Sequence, residues 1–349
     1  MNDLQGQRVL FVCDFGIPFT AADFRGEGVG GTEACVVLLA EAYAARGADV
    51  VVANRVGSVA TERGVRYMPL NAIPDTAFDA VVLWKHWSPA AAECSGQKIF
   101  IWTDVHIPDR ASIERCRRWA DVSFTLSDFQ RMHLAAATGE SALVSLGCAP
   151  IDTSDYSDGP GRKERLLVYC SAPDRGLFYL KDLFPRIRRQ VPDARLAITS
   201  DFSLWGGQPA KAAFMRFFEG HEGVDYLGHV SRSELVAWQQ RARVMAYPCN
   251  FEEGFCLAAA ECLAAGTVPV TTKRYALVQT VGDGGVLIPG HPRGWLYRRR
   301  FVRACVELLT DDQRRQAYVD RGRARALREF SPAHVLERIL EGSRVAPRS

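Results

Sequence analysis

The chain has 349 residues, of which 48% are hydrophobic and 24% charged, and its formal net charge is only +3. This length exceeds one ordinary core and predicts two domains of globular composition. The charge balance excludes a global field that would gather nucleic acid or anionic lipid. No apolar stretch reaches membrane-spanning length, because Glu261 interrupts the longest, Phe255 to Val270.

In chain order, the first apolar run, Val9–Cys13, is too short and too poorly flanked for a signal peptide and reads as a strand. A glycine-rich loop, Gly26-Glu-Gly-Val-Gly-Gly-Thr-Glu33, leads into a helix opened by Thr32, with Val36, Leu39, Ala40 and Tyr43 on one face and Gly47 closing it. Further strands are expected at Asp49–Ala53, Ala80–Leu83, Lys98–Thr103, Val122–Leu126 and Ala142–Leu146. The polar, breaker-rich segment from Asp155 to Lys163 reads as a linker. Beyond it, strands are expected at Leu166–Ser171, Ala194–Thr199, Val224–Leu227, Val244–Tyr247, Val268–Thr271 and Gly285–Ile288. Ser231 and Glu234 make a capping box, and Ser331-Pro332 starts a last helix reaching about Glu341. Strands alternating with helices predict parallel sheets built from βαβ units, in two doubly wound halves.

The ten cysteines show no Cys-x-x-Cys pair, and no zinc spacing or other protein metal site is apparent. Most, such as Cys13, Cys35, Cys170 and Cys262, lie in apolar elements, which predicts buried thiols in a reducing, cytoplasmic setting.

The most specific segment runs from Tyr247 to Val270. It leaves a strand, turns through polar residues and enters an alanine-rich helix near Leu257. The backbone amides of Gly254, Phe255, Cys256 and Leu257 are thereby expected at a helix N-terminus, suited to an anionic group. Glu253 precedes that helix and can accept sugar hydroxyls, while Glu261 lies in its first turns and can hold a ribose diol. This Glu-x7-Glu block, followed by Ala-Gly-Thr-Val-Pro-Val, resembles the donor site of family-four retaining glycosyltransferases of the GT-B fold.

That resemblance covers nearly the whole chain and implies two Rossmann-like domains facing a central cleft. Residues 1–158 form the acceptor side, with the C-terminal helix 331–349 packing back on it, and residues 159–330 bind the donor. It implies that Glu253 contacts the donor sugar and Glu261 the nucleotide ribose. It places Arg175, before Gly176, on the diphosphate, where a guanidinium can fork onto phosphate oxygens. Relatives carry another basic residue about where this chain has Cys170, and Lys181 is a substitute one and a half turns on. The pair Gly30-Gly31 is expected to touch the donor, and His106 to lie near the sugar hydroxyls. Asp104, Trp84 and His86 are expected on the acceptor side, with a tryptophan wall for sugar stacking.

The implied activity is retaining transfer of a sugar from a UDP- or GDP-sugar to a glycan, lipid-linked or small-molecule acceptor. No resident cofactor, essential metal or nucleic acid is expected, and Arg115, Arg117, Arg118 and Trp119 give weak support for a peripheral membrane contact. The rival readings are a nucleotide-sugar epimerase on the same fold and a non-catalytic nucleotide-sugar-binding module.

Overall fold

The computed structural model describes residues 3–103, 110–139, 142–203 and 215–345. The chain divides into two compact units, Met1–Ile151 with Ser331–Ser349, and Asp152–Phe330.

The first unit is built on eight strands in the order β3-β4-β2-β1-β5-β6-β7-β8. These are β1 (Arg8–Val12), β2 (Asp49–Asn54), β3 (Ala60–Glu62), β4 (Val65–Pro69), β5 (Ala80–Trp84), β6 (Gln97–Trp102), β7 (Val122–Thr125) and β8 (Leu143–Ser145). All neighbours pair in parallel except β3 with β4. That antiparallel hairpin is absent from the sequence expectation because its strands are short and carry charged residues, Glu62 and Arg66. Its two-residue turn, Arg63-Gly64, places both residues at positive φ (49° and 80°), as a primed hairpin turn requires, but without the Asn-Gly or Asp-Gly signal.

The second unit has six parallel strands in the order β11-β10-β9-β12-β13-β14. They are β9 (Glu164–Tyr169), β10 (Arg195–Ile198), β11 (Val224–Tyr226), β12 (Ala242–Tyr247), β13 (Val268–Thr272) and β14 (Val286–Ile288). All twelve strands expected from the sequence are present, within two residues at each end. They were legible because a parallel sheet covered on both faces reads as continuous apolar runs. In β9, Leu166, Leu167, Val168 and Tyr169 are each 0% exposed, and full burial of such side chains stabilises by roughly 1.5–3 kcal/mol apiece.

Both sheets are doubly wound. In the first, the chain leaves β1 toward β2 on one side and later fills β5 on the other. In the second, β10 and β12 flank β9 in the same way. The crevice beyond the carboxyl ends of the strands at such a reversal is where open α/β sheets meet ligands.

The boundary near residue 151 lies earlier than the expected 158. The segment Thr153–Tyr156 belongs to the second unit because Tyr156 is fully buried there, its hydroxyl donating to Gln239 Oε1 at 2.6 Å. The last helix, Pro332–Val345, packs on the helix Gly31–Ala45 and on β7. Gly342 permits that approach, since a Cβ there would lie 2.5 Å from the Phe124 ring.

Candidate functional site

The loops after β9 and β12 meet at backbone level. Gly176 sits at φ +129°, and a Cβ on it would lie 2.4 Å from the carbonyl oxygen of Pro248. Only glycine allows both the torsion and the approach. Arg175 is thereby set beside the segment 248–253, at the point where the second sheet reverses direction.

Arg175 and Glu253 are ion-paired: Nη1 donates to Oε1 and Oε2, each at 3.2 Å. The hydroxyl of Tyr247 donates to the same carboxylate at 2.5 Å and accepts from Ser171 Oγ at 3.2 Å. The ring of Phe251 lies under the guanidinium, 4.4 Å from its carbon to the ring centroid, a cation–π contact that fixes the guanidinium plane. Burial opposes the charge on Arg175, but Glu253 outweighs it and the guanidinium is held firmly protonated. Among the described residues only Nη1 takes part in hydrogen bonds, so Nε and Nη2 remain as an open fork. With its side chain 32% exposed, the group is available to an anion. Glu253, expected to contact the donor sugar, is buried in this structure. It is 3% exposed and already accepts from Arg175 and Tyr247, so here it orients the arginine.

The helix Leu257–Ala264 follows directly. Its N-cap, Cys256, is left-handed (φ 80°) and makes no side-chain cap, a strained conformation for a residue with a Cβ. Among the described residues, the amides of Gly254, Phe255, Cys256 and Leu257 donate to no protein acceptor. Four donors and the positive end of a helix dipole therefore follow directly on Glu253, the partner of Arg175. Glu261 stands on the same helix, its side chain 14% exposed. Its Oε1 accepts from Arg232 Nη1 at 2.6 Å and its Oε2 from Gln239 Nε2 at 3.2 Å. Sequence reasoning missed both partners. Arg232 was read only as part of a capping box, which does form, between Ser231 and Glu234.

Cys170 makes a thiol contact with Cys262 (Sγ–Sγ 3.7 Å). Lys181 is exposed, with its ammonium over Phe217 at 4.2 Å rather than near Arg175. Gly30 is the N-cap of the Gly31–Ala45 helix, and the structure gives that glycine a local reason: its Cβ would lie 2.4 Å from Glu33 Oε2. Gly16 makes room for the same carboxylate, whose Oε1 would lie 2.0 Å from its Cβ. Glu33, 7% exposed, is a buried acid that sequence reasoning passed over. Burial raises its pKa, against the opposing pull of its own amide and Lys85.

Trp84 corrects the stacking-wall expectation. It closes a strand paired on both sides and is 0% exposed, so it belongs to the core. His86 is exposed, its ring 6.0 Å edge-on from Phe15. Trp119 faces inward, 8% exposed, with Nε1 donating to the Ala91 carbonyl, which removes it from a lipid-facing cluster. His106 and Asp104 lie outside the described residues.

Residues 164–311 match the family described as glycosyl transferases group 1. The chain is 27% identical over 242 residues to a GDP-mannose-dependent alpha-(1-6)-phosphatidylinositol monomannoside mannosyltransferase of Mycolicibacterium smegmatis, covering 62% of this chain and 60% of that one. It is 26% identical over 226 residues to a phosphatidyl-myo-inositol mannosyltransferase of Mycobacterium tuberculosis, covering 62% of this chain and 57% of that one. The chain thus spans roughly three fifths of the length of these curated relatives. Among solved structures it resembles a sucrose-phosphate synthase from Thermosynechococcus elongatus, with TM-score 0.73 and 18% identity over 97% of this chain and 98% of that one. It also resembles the Anabaena protein HepE in complex with UDP-glucose, with TM-score 0.69 and 16% identity over 96% and 99%. These likenesses establish the GT-B fold.

Proposed function

We propose, for a chain of GT-B fold whose residues 164–311 form a group 1 glycosyltransferase domain, that it transfers a sugar from a nucleoside-diphosphate sugar to an acceptor hydroxyl with retention at the anomeric carbon. The observation that carries this is the open Arg175 fork beside the unpaired amides of Gly254 to Leu257, with Glu261 on the same helix. The arrangement fits a nucleoside diphosphate: cation and amides for phosphate oxygens, carboxylate for ribose hydroxyls.

As the anomeric C–O bond breaks, its electron pair moves onto the diphosphate, which becomes the leaving group. Donors already oriented toward that charge stabilise the transition state more than the ground state, and a fork clamped by Glu253 and Phe251 needs little reorganisation. The leaving phosphate then accepts the proton of the acceptor hydroxyl that attacks from the same face. The curated relatives make GDP-mannose and an inositol-bearing lipid acceptor the first pair to test, and HepE makes UDP-glucose the second donor.

The test is a nucleotide-sugar panel read by thermal shift with chelator present, followed by mass spectrometry of products with candidate acceptors. One donor at a hundred times its dissociation constant should stabilise the chain by about 2.7 kcal/mol. The product should gain one sugar in its original anomeric configuration. Absence of any donor-induced shift would remove the donor site. Isomerisation of the donor without acceptor would replace transfer by epimerisation.

A further inference from the structure

Arg232 stands where helix electrostatics disfavours a cation. It is the first residue of the helix Arg232–Arg241, at the positive end of the dipole. It is also 8% exposed, and a buried charge must be compensated by close partners. Two carboxylates supply that compensation. Asp155 Oδ2 accepts from Nε at 2.9 Å and lies 2.7 Å from Nη2, while Glu261 Oε1 accepts from Nη1 at 2.6 Å. The other Glu261 oxygen accepts from Gln239, whose own Oε1 accepts from the fully buried Tyr156 hydroxyl.

The start of the helix does not itself demand a charge at this position. The capping box of Ser231 and Glu234 already starts the helix, and a buried ion pair can often be replaced by packed apolar groups without loss of stability. What the array achieves is control of Glu261. Each of its oxygens takes one internal donor, so the carboxylate cannot rotate and each oxygen keeps acceptor capacity for one more. Its side chain is 14% exposed, which leaves that capacity open to a ligand.

Building on the donor-site reading, we propose that Arg232, together with Gln239, is a positioning residue that presents both oxygens of Glu261 to a vicinal diol and so sets ribose recognition in the nucleotide. The second oxygen matters because the 2′- and 3′-hydroxyls both need an acceptor, and a carboxylate already held in one orientation meets both without first losing rotational freedom.

The test is calorimetric titration of the full chain with UDP, GDP and their 2′-deoxy counterparts. The wild type should favour the ribonucleotide by roughly tenfold or more, the loss expected when a charge-assisted hydrogen bond is removed. Arg232→Met should bring that ratio to within about twofold while leaving 2′-deoxy affinity nearly unchanged, because phosphate contacts are intact. Arg232→Lys, which restores a donor without the planar fork, should recover part of the ratio. If Arg232→Met does not fold, the double variant Asp155→Asn/Arg232→Gln removes both charges together and carries the same expectation. A ribose preference that survives in the folded variant overturns the role of Arg232 while leaving the donor site standing. A wild type that binds neither nucleotide overturns both.

Discussion

Removing Arg175 alone should cost more stability than removing it together with the charge of Glu253. The carboxylate is 3% exposed and has Arg175 and Tyr247 as its hydrogen-bond donors. Arg175→Ala strips the only countercharge in contact with it among the described residues and leaves one neutral hydroxyl. Breaking a buried pair from one side typically costs about 3–5 kcal/mol. Since the Arg175 side chain is 32% exposed, water can reach part of the vacated space, which places the expected loss at the low end, about 3 kcal/mol. In Arg175→Ala/Glu253→Gln the carboxamide oxygen still accepts from Tyr247 and no charge is stranded, so about 2 kcal/mol should return. The assay is hydrogen exchange at the amides of β9 and β12 through a urea series, which follows the second unit apart from the first. A single variant no less stable than the double would refute the ion-pair argument. Arg175→Lys separates stability from chemistry. It retains a cation for Glu253 but loses the fork, so the fold should hold while turnover falls roughly a hundredfold.

Glu33→Gln should raise the melting temperature at neutral pH. Burial holds the folded pKa of Glu33 above its ordinary value of 4.5, so its contribution to stability is present below the unfolded pKa and lost as pH rises through the folded one. The advantage of the variant should therefore be present at pH 7 and shrink as pH falls toward the unfolded value; an advantage independent of pH would contradict the assignment. Gly176→Ala should destabilise by more than about 2 kcal/mol, given a left-handed torsion and backbone contact together. It should also weaken nucleoside diphosphate binding by displacing Arg175, whereas a wild-type melting temperature would show that the loops after β9 and β12 can part.

What the sequence disclosed follows from what each signal measures. Apolar runs report burial on two faces, so β9 and β12 were readable, whereas β3 and β4 lie at an edge, carry charges and escaped. The Glu-x7-Glu block stood out through its resemblance to the donor site of family-four glycosyltransferases. The partners of its glutamates did not. Arg232 precedes Glu261 by 29 positions and Asp155 precedes Arg232 by 77, and no local pattern links them. Trp84 was misplaced because a tryptophan at a strand end looks the same whether that strand is central or at an edge. Only the order β1-β5-β6 shows that it is covered.

The two sheets use one topology for different chemistry, and the difference lies in what each reversal point presents. In the second sheet the strand ends offer a cation and unpaired amides, which suits a group whose negative charge grows during reaction. In the first, the corresponding ends of β1 and β5 offer acids. Asp14 accepts from Ser88 Oγ and pairs with Arg55, and Glu33 is wedged against Gly16 and Gly30. Lys85, a non-glycine residue at φ 74°, closes the end of β5 with its ammonium 5.7 Å from the Phe15 ring centroid. Strain at such a residue persists only where the surroundings hold it, and such residues cluster at ligand-facing positions. Hydroxyl groups would find acceptors in these carboxylates. The match to the group 1 family spans residues 164–311, and the acid-lined reversal lies outside that range. The two reversal points therefore call for separate tests, the second sheet with nucleoside diphosphates and the first with hydroxyl-bearing acceptors.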